Sequence, residues 1–109
     1  MRIPAIPGAV LVVMFGLVVF SASSVAETNS VSEGKRLVQP CARCHVIVAN
    51  GPSSWTDAPP FEAIANRPGI QRAGLANFMQ QQHMHMLTDT YTNAQANSIA
   101  SYILSLRKK

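Results

Sequence analysis

The chain has 109 residues, with nine Lys/Arg against five Asp/Glu and a formal net charge of +4. That length holds one small domain and excludes a multidomain architecture. The charge excess does not select a partner by itself: Arg107, Lys108 and Lys109 are placed to suit the end of a last helix, and nucleic-acid binding is not expected.

The first segment is not read as part of the domain. Arg2 leads into the apolar run AVLVVMFGLVVF of residues 9–20, and small residues follow at Ser24 and Ala26. A basic start, a short apolar core and a small-x-small exit predict a secretory signal peptide over residues 1–26, cleaved after Ala26. The rival is a retained membrane anchor. The continuous run is about a dozen residues, against the roughly 20 that a spanning helix needs. The domain is then residues 27–109, with no stable membrane insertion once the signal is gone. Removal of Arg2 leaves it a formal charge of +3.

Ser32 to Val38 predicts a short helix, with Ser30 or Ser32 as its N-cap and Val31, Leu37 and Val38 as its apolar contacts. Pro40 ends it. Cys41-Ala42-Arg43-Cys44-His45 follows, the attachment signature for c-type haem. Two residues between the cysteines let one turn present both thiols to the two vinyl groups. The adjacent histidine then serves the iron as proximal ligand. A Cys-x-x-Cys pair also suits a redox dithiol or half a zinc site, the latter completed by His83 and His85. A dithiol fold needs a βαβ pattern, which is absent. A Cys41–Cys44 disulfide would close a loop too small to constrain the unfolded chain much. A covalently held haem instead adds a large apolar plate to a core that a domain this small struggles to build.

Residues 46–60 are rich in Asn, Gly, Pro and Ser and read as a loop. Helices are predicted at Phe61–Asn66 and at Gly74–Gln82. The second has a stripe of Leu75, Phe78, Met79 and Gln82. The clearest helix runs from Thr92, as cap, to Lys108. Its apolar face is Ala96, Ile99, Ile103 and Leu106, with Tyr102 beside it and Ser98 and Ser101 on the polar side. No alternating strand stands out, so the domain is predicted all-α, with three to five helices.

Taken together, these parts resemble the class I c-type cytochromes, the small monohaem electron carriers. The resemblance spans Ser30 to Leu106. An N-terminal helix, the haem motif, a proline loop, a methionine loop and a C-terminal helix occur in the family's order. His83-Met84-His85-Met86 and the closing Tyr102-Ile103-Leu104-Ser105-Leu106 are similar to its C-terminal signature, although Leu87 stands where the family usually has proline. The resemblance implies a cytochrome c-like fold wrapped around one haem c bound through Cys41 and Cys44. It implies His45 and Met86 as axial ligands, with Met84 the next candidate and His83 or His85 behind it. It further implies a Pro59 carbonyl that accepts a hydrogen bond from His45, and Phe61 packed near the haem. Gly34 would let Tyr102 approach at the crossing of the first and last helices. Met79, within a helix stripe, reads as pocket packing. Trp55 fits a propionate contact or simple loop packing about equally, whereas Arg67 and Arg72 read as solvated charges ahead of propionate partners.

The expected function is periplasmic transport of single electrons by a monomer, not catalysis. Partners would be transient redox proteins: a dehydrogenase, another cytochrome or an oxidase. The alternative is a haem enzyme or gas sensor with an open distal position.

Overall fold

Helix α1 spans Ser23–Leu37 in a computed structural model that describes residues 2–5, 8, 16, 23–53, 56–81 and 91–109. It begins earlier than its capping serines suggested and runs through Ala26. No proline or glycine interrupts residues 23–33, so nothing in the sequence stops the helix from extending backwards. Among its described side chains Val31 is the first that packs on the core, and Val38, just past its end, is fully buried. The Val38 amide closes the last turn on Gly34 O at 3.0 Å. A 3-10 turn over Gln39–Arg43 then carries the first cysteine.

Helix α2 is Phe61–Ala65, entered from Pro60. Helix α3 is Arg72–Met79, two residues ahead of its predicted start. Its buried face is Leu75 and Ala76 with Met79 half-buried, while Phe78 is 47% exposed. The predicted stripe is therefore rotated: small Ala76, not Phe78, lies on the buried side of α3. Gln82 lies outside the described residues.

Helix α4, Asn93–Ser105, is the common wall of the domain and packs on α1, α2 and α3. Its N-terminus is a complete capping box. Thr92 Oγ1 accepts from Gln95 N at 3.2 Å, and Gln95 Oε1 accepts from Thr92 N at 3.0 Å. Two amides that the helix cannot satisfy internally are thereby satisfied. Ala96, Ile99, Tyr102 and Ile103 are buried, as periodicity suggested, Ala100 is buried as well, and the predicted Leu106 lies just past the helix and is half-buried.

Ser98 and Ser101 are buried too, against the polar assignment made for them. For Ser98 the cause is Gly34. A Cβ on Gly34 would lie 2.0 Å from Ser98 O and 2.7 Å from Tyr102 Cβ. The α1 and α4 backbones meet there, with Ser98 and the stem of Tyr102 against the glycine. A second difference lies at the far end. Helix α4 stops at Ser105, so Arg107 and Lys108 lie beyond it instead of in its last turn. Arg107 donates from Nε to Ala65 O at 3.0 Å and from a terminal nitrogen to Ile70 O at 2.8 Å. Lys108 Nζ pairs with Glu62 at 3.3 Å.

Among the described residues there are four α-helices, one 3-10 turn and no strand, the all-α architecture that was expected. No helix among them is long and apolar enough to cross a membrane.

Candidate functional site

The residues of the Cys-x-x-Cys-His motif are folded back on themselves by one oxygen. Cys41 O accepts from both Cys44 N at 3.1 Å and His45 N at 2.9 Å. Both cysteines therefore lie on one tight turn, with Cys41 half-buried and Cys44 exposed. Burial pushes the Cys41 thiol above its ordinary pKa. A redox dithiol needs a thiol displaced the other way, towards thiolate.

His45 is half-buried and braced on two sides. Its Nδ1 lies 2.7 Å from Pro59 O. Its ring meets that of Phe61, which is 3% exposed, at a centroid distance of 5.1 Å and a tilt of 45°. With the Nδ1 hydrogen given to a carbonyl, neutral imidazole keeps its lone pair on Nε2, the atom then available to a metal.

The loop after His45 is tied down at several points. Phe61 N donates to Val46 O at 2.9 Å, Tyr102 Oη to Ile47 O at 2.6 Å, and Asn50 N to Glu62 Oε2 at 2.9 Å. Asn50 takes a left-handed φ of 52°, which asparagine tolerates better than most residues. Its amide is the largest influence holding the Glu62 carboxyl below its ordinary pKa, with Lys108 adding to it and desolvation opposing. Thr56 Oγ1 donates to Cys44 O and accepts from Ala58 N at 3.3 Å.

Cys41, Cys44, His45, Pro59 and Phe61 are thus brought together. Met86 lies outside the described residues, as do Met84, His83, His85 and Trp55. Among the described residues no three of His, Cys, Asp and Glu are grouped to hold a metal ion.

Cytochrome c-552 of Bradyrhizobium diazoefficiens is 39% identical to the chain over 92 residues, which cover 84% of this chain and 88% of that protein. The chain belongs to the small c-type cytochromes. No family model matches it, and no solved structure matches it significantly.

As a c-type cytochrome it carries covalently bound haem c and takes part in electron transfer. The donor set fits that group. Two thiols sit on one turn, and an imidazole has its tautomer set by a carbonyl, the ligand type that iron accepts. Sequence reasoning missed Thr56, Glu62 and the destination of the Tyr102 hydroxyl. Thr56 and Asp57 stand in a turn-rich stretch where a hydroxyl bonding the chain two residues on is common, and that was the available signal.

Proposed function

We propose that this cytochrome is an exported, periplasmic carrier of single electrons, with residues 1–26 as a cleaved signal and residues 27–109 as the working domain. Cys41 and Cys44 form the thioethers. His45 Nε2 and the Met86 thioether are the side-chain atoms that would hold the iron. When bound, haem c supplies a one-electron couple at that iron.

The observation that carries this reading is the 2.7 Å contact between His45 Nδ1 and Pro59 O. It orients the imidazole, and the carbonyl raises its basicity as a ligand. Met86 is sixteen positions before Tyr102, the family's step from ligand methionine to that tyrosine. A thioether there raises the reduction potential relative to a second histidine. With His45 and Met86 both committed to holding the iron, the haem would supply one-electron transfer and not a site for substrate. The protein acts as a monomer that docks transiently on a dehydrogenase, a cytochrome or an oxidase through a small interface.

The test is optical. The ferric holoprotein should show the weak long-wavelength band of sulfur-ligated haem, lost in Met86→Ala and kept in Met84→Ala. Rapid, tight carbon monoxide binding to the reduced protein near neutral pH would instead establish an open distal site, as in a haem enzyme or gas sensor. N-terminal sequencing of the exported protein should begin at Glu27.

A further inference from the structure

The contact between His45 and Pro59 joins positions 14 apart. Something must hold the two segments in register. Pro59 and Pro60 have no N–H, so that stretch offers no backbone donor of its own. Its nearest donors are Ala58 N on one side and Phe61 N on the other. Phe61 N bonds Val46 O, the carbonyl just after His45. Ala58 N bonds Thr56 Oγ1, and the same hydroxyl bonds Cys44 O, the carbonyl just before His45. The histidine is therefore bracketed. A backbone bond fixes one flank to the proline pair, and a single side-chain hydroxyl fixes the other.

We propose that Thr56 is a positioning residue for the haem iron: its hydroxyl, by bridging Cys44 O and Ala58 N, sets the hydrogen bond between His45 Nδ1 and Pro59 O and with it the basicity of His45. The inference rests on His45 as the proximal ligand. A hydroxyl suits the task because one group both donates and accepts. Valine has the same shape and does neither. Without the bridge, the Pro59 carbonyl is held from one side only and the bond to Nδ1 loosens. A less basic imidazole stabilises ferric iron less, so the reduction potential rises.

The experiment uses the haem-loaded protein. Thr56→Val should favour reduction about threefold in the equilibrium constant, about 28 mV at 59 mV per decade for one electron. The His45 Nδ1 proton, followed by NMR, should exchange with solvent roughly tenfold faster, since its acceptor is less firmly held. Thr56→Ser, which keeps the hydroxyl, should restore both values. A potential that stays at the wild-type value or falls, an Nδ1 proton that exchanges at the wild-type rate, or a serine variant that behaves like valine would overturn the proposal.

Should Thr56→Val yield no holoprotein, the Ala58 amide of the wild type decides. Protection from exchange supports the bridge, and exchange at the rate of an unstructured peptide overturns it. Failure of the underlying reading looks different: the wild-type haem would lack the spectrum of a histidine-ligated iron before any variant is made.

Discussion

The Tyr102 hydroxyl bonds the carbonyl of Ile47 at 2.6 Å across 55 positions of sequence, joining α4 to the loop two residues past His45. Tyr102 thus serves two ends of the domain. Its ring stem closes the α1–α4 crossing beside Gly34, and its hydroxyl anchors the proximal loop. Tyr102→Phe keeps the first role and removes the second. The expected loss is about 1–2 kcal/mol, the scale of one hydrogen bond whose carbonyl is left partly unsatisfied, read by chemical denaturation of the holoprotein. Burial raises the Tyr102 pKa. Its contribution is therefore complete below about pH 10, the ordinary tyrosine value, and is lost as pH rises through the raised one. The phenylalanine variant should lack that alkaline loss.

Gly34→Ala should be the most damaging small substitution in α1. The new methyl would meet Ser98 O, a backbone atom inside a helix that cannot rotate aside. Relief requires α1 and α4 to separate. A destabilisation of about 3 kcal/mol is expected, at the upper end for inserting one methyl into a packed core. A drop in denaturation midpoint measures it.

Glu62 holds the loop at Asn50, and its carboxyl pKa is lowered chiefly by that amide. For a lowered carboxyl, the contribution is present above the ordinary value of about 4.3 and disappears as pH falls through the lowered one. The Asn50 amide resonance should follow this step in an acid titration. In Glu62→Gln the step should vanish. Lys108→Ala should move its midpoint upward only part of the way, because the amide remains.

Thr92→Ala removes the acceptor for Gln95 N from the capping box at the head of α4. The expected cost is about 1 kcal/mol. Thr92→Ser should keep most of the stability, and paired thermal melts would show the difference.

Much of this architecture was legible in the chain. Periodicity located α4 and its core face, because a 3.6-residue repeat of Ala96, Ile99 and Ile103 admits few other readings. Cys41 to His45 was legible because the chemistry demands that spacing. The family resemblance supplied the likeness of Pro59, and the structure places that carbonyl beside Nδ1. What periodicity could not show was close approach. Ser98 looked like part of a polar face because its burial depends on a glycine more than sixty positions away. The rotation of α3 had the same origin: Ala76 is weakly apolar by itself, and its small size matters only once α4 lies against it. Helix ends misled in both directions, since local sequence does not reveal that Arg107 has tertiary carbonyls to reach.

That arginine alters what the charge count means. One guanidinium spans two carbonyl oxygens, Ala65 O at the end of α2 and Ile70 O in the connection that leads to α3. A lysine there would keep the charge and lose the span, because an ammonium is a point and the guanidinium is a fork. Position 107 selects for shape before sign. Lys108, turned towards Glu62, is also engaged within its own molecule. Two of the cations that make the chain basic are therefore held in place by bonds within their own molecule, so an approaching protein meets their charge at set positions beside α2 and not on freely moving side chains.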